Sequence, residues 1–293
     1  MRPPGIEPGQ IAWEAIVLPL DYGRTRNSYE LAYASNKFKR IAVVYSGMEI
    51  IGLDNIPLIR DDDDLVEIIS SALKEKRIAL EDNDIVAVTE KIVAKAEGRL
   101  VDLDGVKPSR KAIALSRKTG KDPRIVELIL RESKEVLRTG KNFIIVETKQ
   151  GFVYANAGID QSNVEKGKVK LLPRSPDKSA KRIRRGLKEK TGKKIGVVIV
   201  DSSGRPFRYG TVGVAIGASG IKVLWDRRGD KDLFERELQI TRVAIADCLA
   251  SAANLIIGEA SEKIPVAIIR GLNFLGNGKV EDLIRKKSED VFR

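Results

Sequence analysis

The residues of this chain best placed to do chemistry are acids at the ends of apolar runs. Asp201 closes the run Val197 to Val200 and opens Asp-Ser-Ser-Gly. An acid at the end of a buried strand can ligate a hard cation through oxygen, or fold back on its own backbone as an Asx-turn. Asp160 stands in Asn-Ala-Gly-Ile-Asp-Gln-Ser-Asn and carries the same two readings. Glu259 follows Gly258, where a helix should stop. A carboxylate there opposes the helix dipole and calls for a cation, either a metal or an ammonium such as Lys263.

What the chain lacks narrows the chemistry further. Its 293 residues include no histidine and one cysteine, Cys248. A Ser-His-Asp triad, an imidazole base and a histidine zinc site are therefore excluded. A thiolate cluster or an intrachain disulfide is excluded as well. Any metal must be held mainly by oxygen, which favours magnesium, manganese or calcium. Scarce cysteine fits a reducing cytoplasm.

Lysine and arginine total 53 against 41 aspartates and glutamates, a net charge of +12. Between Lys166 and Lys194 thirteen basic residues face only Asp177 and Glu189, so nearly the whole surplus lies there. Such a run could bind nucleic acid, an acidic membrane or an anionic small ligand, or it could be a solvated helix face. It contains no aromatic residue, which argues against base stacking. No apolar run approaches the roughly 18 residues of a membrane span.

Thr-Gly-Lys occurs at Thr119, Thr139 and Thr191, each time without the earlier glycine of a P-loop. These glycines read as left-handed helix caps. Gly210, Gly213, Gly217 and Gly220 crowd one segment. They suit either backbone approach to a ligand or two crowded strands turning sharply.

The elements that must position these groups can be read from periodicity. Asp61 to Asp64 cap a helix from Leu65 to about Leu73. Ile85 to Val88 reads as a buried strand. Helices follow Pro108 and Pro123, the second with an apolar face of Ile125, Leu128, Ile129, Val136 and Leu137. Phe143 to Val146 and Phe152 to Tyr154 form a hairpin about Gln150–Gly151. The basic helix runs from Pro176 to near Gly192. Ile195 to Val200, Val212 to Ile216, Ile221 to Trp225 and Pro265 to Ile269 read as strands. Asp232 to Ile257 reads as one long helix, and Glu281 to Phe292 as a terminal one. Strands and helices mix without βαβ alternation, so the expected class is α+β.

Five strings carry a resemblance: TEKIVAKAEGR, NAGIDQSNV, VVIVDSSGRPFR, VGVAIGASGIK and ANLIIGE. Together and in this order they resemble the coenzyme F420-0:L-glutamate ligase family, from about Met48 to the C-terminus. The resemblance implies a GTP-dependent ligase. Such an enzyme adds one or more L-glutamates to F420-0, later ones γ-linked, through an acyl phosphate, and releases GDP and phosphate. It also implies magnesium or manganese, two per site, with potassium as a stimulant. The implied fold is a two-lobed α+β architecture in an intertwined homodimer.

The site residues follow from the same resemblance. Metal ligands fall on Asp160, Asp201, Ser202 and Glu259. Nucleotide contacts fall on Asp54, Asn55, Ile56 and Pro57, then on Thr89, Glu90 and Lys95, and on Asn163. The run Ile257, Gly258, Glu259, Ala260, Ser261, Glu262, Lys263 and Ile264 completes them. Gln150 stands where many members have histidine.

Residues 1–47 have no counterpart in the family core. They are expected to be a poorly ordered extension or a misassigned start, and 48–293 the catalytic region. Two rival readings remain: a ligase of the same fold acting on another carboxylate, and a basic protein that binds nucleic acid.

Overall fold

Every strand rich in β-branched residues finds a place in one of four sheets. The computed structural model describes residues 47–291, so all but Gly47 of the expected extension lies outside the described residues. In chain order the elements are β1 (Glu49–Leu53), α1 (Leu65–Glu75), β2 (Ile85–Thr89), α2 (Glu90–Ala96), β3 (Leu100–Asp102), α3 (Arg110–Thr119) and α4 (Pro123–Glu132). There follow β4 (Ser133–Gly140), β5 (Phe143–Thr148), β6 (Val153–Ala155), β7 (Lys168–Lys170) and α5 (Pro176–Thr191). The chain continues with β8 (Gly196–Arg205), β9 (Arg208–Ser219), β10 (Trp225–Asp226), β11 (Arg242–Val243), α6 (Ile245–Ile257) and β12 (Val266–Arg270).

The main sheet has the order β1-β12-β2-β8-β9. Only β2 and β8 are parallel; the other neighbours are antiparallel. Both faces of β2 are buried, because helices cover the sheet on each side. On one face α1 and α5 pack Ile69, Leu73, Ile183 and Leu187 against Val86, Val88, Val197 and Ile199. On the other, α6 packs Leu249 and Ala253 against Ile85, Ala87, Val198 and Ile269. A separate core joins α3 and α4 to β4 and β5 through Ala112, Val126, Ile129, Ile144 and Val146. The architecture is mixed α+β, as expected.

Local signals hold where they are self-contained. Asp64 caps α1 by accepting from the Val66 and Glu67 amides. Pro176 opens α5 and left-handed Gly192 closes it. Gly120 is likewise a left-handed cap, but Gly140 ends a strand. The glycines of β9 serve close packing. A Cβ on Gly213 would fall on the Ala250 carbonyl of α6, and one on Gly217 on the Pro176 backbone.

Four of the expected elements differ. The helix after Pro123 ends at Glu132, and Val136 lies on β4 opposite Val146. The strand expected at Ile221 to Trp225 reduces to an isolated bridge at Ile221 and the short β10. Asp232 to Ala244 is not helical. Asp232 takes the Phe234 and Arg236 amides onto its carboxylate, and β11 pairs back on β10. Residues 280–291 form two 3-10 turns, not a helix, and bury only Val280, too little apolar surface to stabilise one.

Candidate active site

The register of the main sheet brings the distant motifs to one edge. Leu53, Val266, Val88 and Ile199 lie in one row across β1, β12, β2 and β8. Within two steps beyond that row the chain leaves β1 at Asp54, enters β12 from Ile264, leaves β2 at Glu90 and reaches Asp201 on β8. Thr89 pairs with Val200, so Glu90 and Asp201 follow side by side at the C-terminal ends of the parallel pair. Open sheets bind ligands at such ends.

Asp201 does not end its strand. β8 continues to Arg205, and Asp201 sits opposite Val214 with the Ser202 amide on its own Oδ1, at 2.8 Å. Burial raises its pKa, against the pull of the Lys170 ammonium. Glu90 begins α2 and is buried. Lys170 Nζ donates to its Oε1 at 2.5 Å. Burial pushes Glu90 up to about 7, opposed by Lys170 and reinforced by the charge of Asp201.

Asp160 is bridged to Lys170 through paired backbone hydrogen bonds. Its carboxylate takes the Ser162 amide at 2.8 Å and lies 3.2 Å from Lys91 Nζ. Burial works to raise its pKa, but Ser162 and Lys91 outweigh that and hold it below the ordinary range. Glu259 accepts from Ser202 Oγ at 3.0 Å and from Asn254 Nδ2 at 2.8 Å. Gly258 turns α6 into this segment with φ 74° and ψ −176°, a conformation almost confined to glycine. Lys263 is not among the partners of Glu259.

The nucleotide residues fall into two groups. Lys95 Nζ donates to the Asn163 carbonyl at 3.0 Å, and Asn163 Nδ2 to the Ala260 carbonyl at 3.1 Å. One hydrogen-bonded chain thus links α2, the loop after Asp160 and the loop after α6. Burial lowers the pKa of Lys95, and nearby Lys91 adds to the effect. Glu262 closes the last loop by accepting the Ala260 amide at 2.8 Å. Asp54 and Asn55 turn away from this group. Asp54 pairs with Lys76, and Asn55 donates to Ala72 and Glu75 at the end of α1.

Thr89 Oγ1, Glu90 Oε2 and Tyr154 Oη are buried without a hydrogen-bond partner. Tyr154 stands beside Asp201; burial first, then that carboxylate's charge, raises its pKa far above the ordinary value. Two acids share one buried lysine beside oxygens that have no hydrogen-bond partner. The donors are carboxylates and a hydroxyl, the chemistry a hard divalent ion requires. Among the described residues no three acids already converge as a metal cage. In donor type alone the set suits such an ion.

Sequence reasoning missed Lys91, Tyr154, Lys170 and Asn254. Lys91 had a signal, since it stands one helical turn before Lys95. Lys170 had none, being one of thirteen basic residues in that run. A cleft of about 620 Å³ between α1 and α5 contains none of these residues and is lined by Asp62 to Asp64 and by Arg182 and Arg185.

A family model described as F420-0:Gamma-glutamyl ligase matches residues 54–271. A Methanocaldococcus jannaschii protein named coenzyme F420:L-glutamate ligase is 54% identical over 249 residues, 84% of this chain and 97% of that one. One of the same name from Methanothermobacter thermautotrophicus is 49% identical over 250 residues, 84% and 99% of the two chains. Another from Archaeoglobus fulgidus is 44% identical over 246 residues, 84% and 96%. No helix among the described residues is long and apolar enough to cross a membrane.

Proposed function

The chain belongs to the F420-0:gamma-glutamyl ligase family, and from that premise we propose that it joins L-glutamate to the terminal carboxylate of F420-0 with GTP as activating nucleotide. It is an enzyme of the acid–amino-acid ligase type. The γ-phosphoryl group of GTP passes to the acceptor carboxylate. An oxygen–phosphorus bond forms, the bond to the GDP oxygen breaks, and an acyl phosphate results. The glutamate amine then attacks the acyl carbon and loses its proton. The amide bond forms as phosphate leaves with the electron pair. Later glutamates add through γ-linkages.

One observation carries this reading: Glu90, Lys95, Asp160, Asn163, Asp201 and Glu259 gather at the C-terminal ends of the parallel strands. Phosphoryl transfer rests on positioning and charge neutralisation and needs no histidine. Lys95, steadied by the Asn163 carbonyl, offers an ammonium to phosphate oxygens. Lys170 pairs with buried Glu90 and fixes its position. Magnesium or manganese, held by Asp160, Asp201, Ser202 and Glu259, would neutralise phosphate charge. A homodimer is part of the proposal. It is supported by Tyr209, Leu233 and Ile240, which are almost fully exposed.

The test is direct. Protein, GTP, manganese, F420-0 and glutamate are incubated, and F420-0 should gain the mass of glutamate as GDP appears. Absence of both products overturns the reading.

A further inference from the structure

A second cleft, of about 590 Å³, opens on the same face of the main sheet as Asp201 and shares no residue with the metal and nucleotide sets. The register establishes the common face. Asp201 lies opposite Val214, and directly opposed residues of an antiparallel pair point to one side. Val214 and Ile216 both pack into the core beneath α1 and α5. Ile216 also forms the cleft floor, together with Phe152 and Ile284. The Phe152 ring meets Tyr154 edge-on at 6.1 Å between centroids, and Tyr154 stands beside Asp201. The cleft is thus one aromatic pair away from that acid.

Its charges are unevenly satisfied. Arg99 is paired with Glu132 at 2.6 Å, and Asp177 accepts the Ala218 amide at 2.7 Å. Lys149 and Arg174 are exposed on the rim, and among the described residues their side chains make no ion pair or hydrogen bond. An apolar floor with free cations at its edge suits a flat ring system that carries an anionic tail, and the volume is ordinary for a small-molecule site.

We propose that this cleft is the acceptor subsite. Phe152, Ile216 and Ile284 receive the ring system of the acceptor, and Lys149 and Arg174 its phosphodiester. The assignment rests on the ligase reading above, since the acceptor in that reading, F420-0, is a deazaflavin ring that carries a phosphodiester and a terminal carboxylate. It also gives part of the basic run a role: Arg174 is on the cleft rim, whereas Arg182 and Arg185 of α5 line a different cleft.

The experiment compares the wild-type protein with Lys149→Ala/Arg174→Ala. Both side chains are exposed, so the fold should survive, and a thermal melt checks it. Equilibrium dialysis with F420-0 and steady-state kinetics for each substrate are the readouts. Loss of two charged contacts should raise the F420-0 Kd and KM by about tenfold or more, with the KM for GTP and glutamate unchanged. An unchanged F420-0 Kd in a variant of a wild type that does ligate F420-0 overturns the subsite and leaves the ligase reading standing. A rise for GTP in place of F420-0 assigns the cleft to the nucleotide and also overturns it. A wild type that neither binds nor ligates F420-0 overturns the ligase reading, and the subsite with it.

Discussion

Lys170 Nζ lies 2.5 Å from Glu90 Oε1, and each side chain is only 2% exposed. The two residues are 80 positions apart in sequence. Lys170 is also the first cation to oppose the raised pKa of Asp201. One ammonium therefore tempers two acids, buried Glu90 and half-buried Asp201.

Removing that ammonium should be costly. Lys170→Met leaves buried Glu90 and half-buried Asp201 without their cation, and should destabilise the protein by about 3–5 kcal/mol. Adding Glu90→Gln removes one of the stranded charges and should recover at least half of the loss. Urea unfolding of the wild type and both variants measures this. A single variant as stable as wild type would show that the pair is not an energetic unit.

Asp160→Asn and Asp201→Asn should each bring turnover below detection while the far-UV dichroism stays unchanged. Because burial works against its ionised form, Asp201→Asn should keep or raise Tm. Manganese should raise the Tm of wild type and raise that of Asp201→Asn less. Near-normal turnover in both variants would remove the metal assignment.

Lys95→Ala tests the chain that runs through Asn163 to Ala260. The loss of one charge-assisted contact to phosphate should raise the KM for GTP by about tenfold or more, while the KM for glutamate stays put. Equal effects on both substrates would mean that Lys95 organises the loops and does not contact the nucleotide.

Far from the site, Arg270 clamps Asp84 through Nε and Nη2 at 2.9 and 2.8 Å, and Asp84 is 1% exposed. Asp84→Ala leaves the guanidinium only the Ala79 carbonyl and the exposed Glu81, and should cost about 3–5 kcal/mol. Glu81, which meets the same arginine at 2.8 Å but is largely exposed, should cost about 1 kcal/mol or less on substitution by alanine. Chemical denaturation ranks the two, and a reversed order would contradict the burial argument.

The sequence by itself determined the pieces whose cause is local. Asp64 before Leu65, Pro176 and Gly192 around α5, and the β-branched run of β2 each carry their own reason for the structure they adopt. Capping, φ restriction and χ1 stiffness act within a few residues. The order of the motif strings determined the family, because five blocks in sequence leave little room for coincidence.

Only the tertiary structure decided the rest. Val136 has the spacing of a helical face yet becomes strand, because β5 offers Val146 as a partner. Asp232 to Ala244 has helical character on paper, but its acid captures nearby amides and its end pairs with β10. Lys170 looks like any other member of a basic run. It is buried because β7 brings it against Asp160 and over Glu90, and no local rule contains that information. Burial of a charge depends on where its counter-charge arrives, and the register of β2 beside β8 sets that position.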